Sequence, residues 1–166
     1  MELLDTYHAD HTPAGHVVRR GEIPQEGELF LVVHILLVNN SGKLLLQKRQ
    51  DTKNLYPGCW DVSAGGYAQQ GEASRPAVLR ETQEELGFTP KELQFLFTEP
   101  FSHVLDDFYI SRCNLPASAF CIQTEEVSEV RWVSEEEALE FWDRGQFVDY
   151  HRDLLLRCFA EARRFL

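Results

Sequence analysis

The ten residues "LFLVVHILLV", Leu29 to Val38, restrict the fold more than any other stretch of the chain. They are apolar at nearly every position and rich in β-branched side chains, which is the composition of a buried strand. "NNSGK" follows as a turn and "LLLQKR" resumes the apolar pattern, which predicts a central hairpin. "LLDTY" and "GHVVRR", on either side of the turn-forming "HADHTPAG", predict a smaller hairpin near the N-terminus. "LQFLFTEPF", "DFYISRC" and "EVRWV" alternate as further strands. Two helices are expected near the C-terminus. Ser134 can cap "EEEALEFW", whose first turn is acidic, and "YHRDLLLRCFAEARRFL" has helical apolar spacing with basic residues at its end. A third helix is expected within Gly65 to Phe88. Strands mixed with three helices, and no internal repeat, indicate an α/β fold and one domain over residues 1–166.

Composition narrows the partners. A 43% hydrophobic content suits one well-buried core, and the net charge of −11 opposes broad attraction to a nucleic acid polymer or an anionic membrane. No run of about 18 apolar residues is available to span a bilayer. "MELLDTYHAD" lacks the basic start and apolar run of a secretion signal, so a cytoplasmic location is expected. Cys59, Cys113, Cys121 and Cys158 have no C-x-x-C spacing and read as buried free thiols, in keeping with a reducing compartment.

The chemistry concentrates in "GGYAQQGEASRPAVLRETQEELGF", Gly65 to Phe88. Ser74 can cap a helix over Arg75–Leu86, Pro76 fits the first turn, and Gly87 suits the C-terminal stop. At about 100° per residue, Glu81, Glu84 and Glu85 share one arc, while Leu79, Thr82 and Leu86 group opposite as the core face. Three carboxylates on adjacent turns repel one another and call for a positive partner. Arg80 is one candidate; a hard divalent cation, which prefers oxygen ligands, is another.

The order Gly66, Glu72, Arg80, Glu81, Glu84, Glu85, Gly87, with Phe88 after it, resembles the Nudix box; Thr82 stands where that family usually has a bulky aliphatic residue. "GELFLVVHILLVNNSGKLLLQKR", "PGCWDVSAGG" and "EEVSEVRWVSEEEA" extend the resemblance over roughly Asp5 to Trp142, toward the branch related to isopentenyl diphosphate isomerase. The resemblance implies an α/β/α sandwich with a mixed central sheet and hydrolysis of a small-molecule diphosphate, from a nucleoside diphosphate derivative to another organic diphosphate. It also implies Mg2+ or Mn2+ as cofactor. Glu81 and Glu85 would be the principal metal ligands, Glu84 a further direct or water-mediated one, and the carbonyl of Gly65 or Gly66 would complete the shell. Glu72 would pair with Arg80 in a structural role. A homodimer is a family expectation.

Two alternatives remain. Isomerase chemistry needs a placed acid to protonate an alkene, yet the family's cysteine position holds Gly65, and its histidine positions hold Tyr67, Ile23 and Phe30. A non-catalytic Nudix ligand-sensing module is the other, opposed by the intact box. The general base is sought on loops, with Glu126 first, then Glu125, Asp106 and Asp107. Lys48 and Arg49 are expected to contact phosphate, with Arg19 and Arg20 as weaker candidates; Trp60 and Phe101 either stack against the substrate or pack in the core. His34 suits a cleft or a hydrogen-bonded core position, and His8, His11 and His16 offer only a weak metal pattern.

Overall fold

The computed structural model describes residues 1–166. Its strands are β1 (Leu3–Tyr7), β2 (Pro13–Arg19), β3 (Leu29–Val38), β4 (Leu44–Arg49), β5 (Trp60–Asp61), β6 (Ala64–Tyr67), β7 (Gln94–Phe101), β8 (Val104–Arg112) and β9 (Val127–Val133). The helices are α1 (Ser74–Leu86), α2 (Glu135–Asp143) and α3 (Arg152–Phe165), with a single 3-10 turn at Ala117–Ala119. None of the helices is long and apolar enough to cross a membrane.

β3 is buried at every residue from Phe30 to Val38. Its two edges are also occupied. β8 runs parallel to it from Phe30↔Val104 to Val38↔Arg112, and β6 runs antiparallel on the other edge from Val32↔Tyr67 to Ile35↔Ala64. β1 covers the start of β3, and β2 closes that side by pairing with β1 as expected. The predicted β3–β4 hairpin is therefore corrected: the two strands touch only at Val38↔Leu44. β3 has no free edge left, so β4 diverges and pairs with β9 and β5 instead. The sheet is mixed, and it splits into two arms that are joined at the β3–β4 turn and diverge away from it.

Alternate residues of β3 build two cores. Leu36 and Val38 join Phe108, Leu155 and Phe159 under α2 and α3, while Val33, Ile35 and Leu37 meet Ala77, Val78 and Leu86 of α1. This is the expected α/β/α sandwich. Each large aliphatic or aromatic side chain withdrawn from water in these layers contributes roughly 1.5–3 kcal/mol.

The helix ends differ in how closely they follow the sequence. Ser134 caps α2 through a reciprocal box: its Oγ accepts from the Glu137 N–H at 3.2 Å, and the Glu137 carboxylate accepts from the Ser134 N–H at 2.8 Å. Ser74 does not cap α1. The residue at the cap is Ala73, and the Ser74 hydroxyl instead donates to Asp107 at 2.6 Å, beside the Tyr109 hydroxyl at 2.8 Å. Gly87 adopts a left-handed φ of 61° at the end of α1, where an added Cβ would lie 2.8 Å from Cys121 Cβ. The buried face of α1 is Ala77, Val78, Thr82, Glu85 and Leu86. Leu79 is only half-buried, so the expected core arc is rotated toward Glu85. Thr82 satisfies its hydroxyl within the helix, donating to Val78 O at 2.6 Å.

Arg80 ties α1 to the loop before it. Its Nε and Nη2 donate to Glu72 at 2.8 and 2.9 Å, and Nη2 also donates to Tyr67 O at 3.0 Å. The Glu72 carboxylate accepts in addition from the Gln69 N–H at 3.0 Å. Trp60, in contrast, is 4% exposed and stacks on Phe141 at 5.0 Å, with the Arg131 guanidinium over its ring. Cys113 and Cys158 are buried as expected, whereas Cys121 is exposed and Cys59 half-buried.

Two stability measurements test this packing. Trp60→Ala should lower unfolding free energy by about 3–5 kcal/mol in denaturant titration, the usual cost of emptying an aromatic core site. A merely substrate-stacking Trp60 would leave that midpoint in place. Glu72→Ala should cost about 1.5–3 kcal/mol through its charged hydrogen bonds to Arg80, and an unchanged melting midpoint would show that the loop is held by other contacts.

Candidate active site

A cleft of about 1040 Å3 opens beside the polar face of α1. Arg80, Glu81, Glu84 and Glu85 line it from the helix, and Gly65 and Gly66 from β6. The glycine pair allows the helix to approach. An added Cβ on Gly66 would lie 2.5 Å from Glu81 Cδ, and the Gly65 N–H donates to Glu85 Oε2 at 3.1 Å. Two carboxylates from successive helical turns therefore rest on two consecutive backbone positions.

Their environments are unequal. Burial, and then the charge of Glu81, push Glu85 up to about 8 against the hydrogen bonds from Gln47 and Gly65. Burial also raises Glu81, opposed by Arg80. Gln47 Nε2 holds Glu85 Oε2 at 2.8 Å. Arg80 Nη1 holds Glu81 at 2.8 Å and Glu84 at 3.1 Å. Glu84 is exposed, and no group of three acids, histidines or cysteines is close enough to hold a metal ion. Glu81, Glu84 and Glu85 all line the cleft, and the Arg80 Nη1 that bonds both Glu81 and Glu84 occupies the space beside those two carboxylates.

Strand alternation decides which other expected residues reach the cleft. On β4, Arg49 lines it, the buried Gln47 reaches Glu85, and Lys48 does not line it; on β5, Asp61 lines it and Trp60 does not. Lys48 and Trp60 are cross-strand partners, as are Gln47 and Asp61, so each pair shares one face. Lys48 and Trp60 are corrected as substrate contacts on this ground. Arg49 donates through Nε to Leu55 O at 3.0 Å and has no carboxylate partner, unlike Arg20 and Arg80 in the same cleft. Glu126 lines the cleft and is ion-paired with Lys53; Glu125 is exposed outside it. On β8, Asp106 faces the cleft, while Asp107 points to the other side and accepts from His11, Ser74 and Thr98. Exposed apolar groups, Ile23, Leu55, Tyr56 and Phe101, stand on the rim.

His34 answers both of its sequence readings, being buried and also lining the cleft floor. Its Nε2 lies 3.2 Å from Asp106 Oδ1 and its Nδ1 3.4 Å from the Tyr150 hydroxyl, which donates to Asp61 Oδ1 at 3.1 Å. Burial alone would lower His34, but the Asp106 hydrogen bond and charge raise it. Sequence reasoning missed Gln47, Lys53, Asp61 and Tyr150. A period-2 reading from Arg49 reaches Gln47; nothing local in the sequence marks Tyr150.

A model of the NUDIX domain matches residues 28–157. A Nudix hydrolase of Listeria innocua is 41% identical over 133 residues, covering 79% of each chain. Another, from Pseudomonas aeruginosa, is 34% identical over 167 residues, covering 97% of this chain and 95% of its own. Among solved structures, a Deinococcus radiodurans protein superposes with a TM-score of 0.80 at 24% identity, over 95% of this chain and 99% of that one. A Shewanella oneidensis NUDIX domain in complex with ADP ribose superposes at 0.61 with 22% identity, over 82% of this chain and 88% of that one. The acidic helix packed on a glycine pair, the domain match around it and relatives along nearly the whole chain agree, and the protein belongs to the Nudix hydrolase family.

Proposed function

We propose that this protein is a divalent-metal-dependent pyrophosphohydrolase that cleaves the pyrophosphate linkage of a nucleoside diphosphate derivative or other organic diphosphate. The observation that carries the reading is the burial of Glu81 and Glu85 together on the Gly65–Gly66 backbone. Two desolvated like charges at one place are costly without a shared cation, and their hard oxygen donors fit Mg2+ or Mn2+. Glu81 and Glu85 would hold the ion, with a carbonyl of Gly65 or Gly66, and Glu84 would join directly or through water by releasing Arg80. When bound, such an ion polarises phosphoryl oxygens and neutralises their charge.

The remaining roles fall to side chains of the same cleft. Arg49, which has no carboxylate partner, presents its guanidinium to a phosphate group. Glu126 orients the attacking water and takes its proton, with Lys53 fixing the carboxylate in place. Water oxygen forms the new bond to phosphorus, and the bridging P–O bond breaks to release the second phosphate-bearing product. Arg80 and Glu72 hold the loop against the helix. The isomerase alternative is opposed by space as well as by residue type: a Cβ at Gly65 would meet His34 Nδ1 at 2.5 Å and Val33 O at 2.6 Å, leaving no room for a thiol acid.

Chelation should abolish hydrolysis of a diphosphate substrate, and added Mg2+ or Mn2+ should restore it; full turnover in excess chelator would remove the metal from the reading. Glu85→Gln should remain folded, lose at least about 100-fold in rate, and melt higher than wild type in chelator at neutral pH, because wild-type folding must protonate Glu85 or bury its charge and Gln need do neither. The variant should also lose the rise in melting midpoint that the ion gives wild type. Glu92→Gln, at an exposed site beyond α1, is the control. Wild-type turnover in Glu85→Gln would make the ligand-sensing alternative the better reading.

A further inference from the structure

The cleft floor beyond the box carries a chain of polar groups that the hydrolytic roles leave unused. Asp106, His34, Tyr150 and Asp61 follow one another at 3.2, 3.4 and 3.1 Å. All of them line the cleft. Gly65 joins them to the acidic pair, since its backbone touches Glu85 on one side and leaves only enough room for His34 on the other. Asp106 is 6% exposed, and His34 takes one of its oxygens; the second oxygen has no protein partner. Asp61 is similar. Its Oδ1 accepts from the Val62 N–H at 2.7 Å and from Tyr150, while Oδ2 has no partner. Behind them His34 stacks on Phe108 at 4.8 Å, which seats the imidazole against the core.

Two acceptors on the floor of the cleft set a condition on the ligand. A group that fills this floor displaces water from both carboxylates, and an acceptor left unpaired then costs its full desolvation. A hydrocarbon cannot meet that condition. Hydroxyl or amino groups can, and each pairs with a free carboxylate oxygen in a charge-assisted hydrogen bond. Resting on the hydrolase reading above, we propose that Asp61 and Asp106 are specificity-determining residues that accept hydrogen bonds from hydroxyl or amino donors on the organic half of the diphosphate, and so select against prenyl diphosphates.

The test compares ADP, inosine diphosphate, 2′,3′-dideoxy-ADP and geranyl diphosphate with Mg2+, by phosphate release and by equilibrium dialysis. ADP should exceed geranyl diphosphate at least about 100-fold in kcat/KM, because a site built for donors rejects analogues that lack them. Loss with inosine diphosphate assigns the donor to the base amine, and loss with the dideoxy compound assigns it to the ribose hydroxyls. Asp106→Asn keeps an oxygen for His34 and turns an N–H2 into the cleft, so the preference for ADP should fall about 10-fold or more, mainly through KM. Asp61→Asn should act in the same direction. Geranyl diphosphate equal to ADP in wild type, undiminished use of both altered nucleotides, or equal losses on every substrate in the variants would each overturn the proposal. If none of the four is hydrolysed, dialysis still decides: preferential ADP binding upholds the acceptor floor independently of the hydrolase reading, while absent preference overturns it.

Discussion

The burial of β3 on both faces and along both edges governs the rest of the molecule. Leu29–Val38 is too apolar to stand at an edge or to face water on either side. Its partners β8 and β6 saturate the backbone, so β4 must leave and found a second arm with β5 and β9. The cleft lies between the arms, away from the β3–β4 turn, along Phe30, Val32 and His34 of β3. His34 on β3, Asp106 on β8, Gly65 on β6 and Asp61 on β5 reach it from separate strands, and their mutual distances follow from the sheet register.

Stability and chemistry oppose one another along α1. A helix that packs only hydrocarbon would place an apolar residue at position 85, yet Glu85 belongs to the buried face with Val78, Thr82 and Leu86. Its carboxylate is accommodated by one amide from Gln47 and one backbone N–H from Gly65. Those bonds do not offset burial beside Glu81, as the upward displacement of Glu85 to about 8 shows. Arg80 moderates the cost by holding Glu81, Glu84 and Glu72 at once. A helix face under such electrostatic strain is suited to take up a cation and poorly suited to serve as a passive surface.

The alternation of strands explains where residue-level expectations succeed and where they miss by one position. Lys48 and Trp60 were plausible by type, a cation and an aromatic ring close to a presumed site. Each occupies the wrong phase of its strand, and its neighbours Arg49 and Asp61 take the cleft side while Gln47 holds Glu85. Asp106 and Asp107 separate in the same way, one facing the cleft and the other fastening His11, Thr98 and the start of α1. Residue identity names the chemistry available, but only the phase set by partner strands says which side receives it.

The sequence by itself determined the mixed α/β class, the strands other than β5 and β6, the Ser134 cap of α2 and the arginine-linked acidic stretch of α1, because these depend on local periodicity and on residues close together in the chain. Tertiary structure decided the departure of β4 from β3, the withdrawal of Trp60 into the core and the use of Ser74 as a partner of Asp107. It also decided the Asp106–His34–Tyr150–Asp61 chain, whose outer members are separated by 45 residues in one direction and whose Tyr150 lies 116 residues from His34. Such a chain forms only after nonlocal strand pairing has fixed its register, and no window of sequence contains the information that brings its members within hydrogen-bond distance.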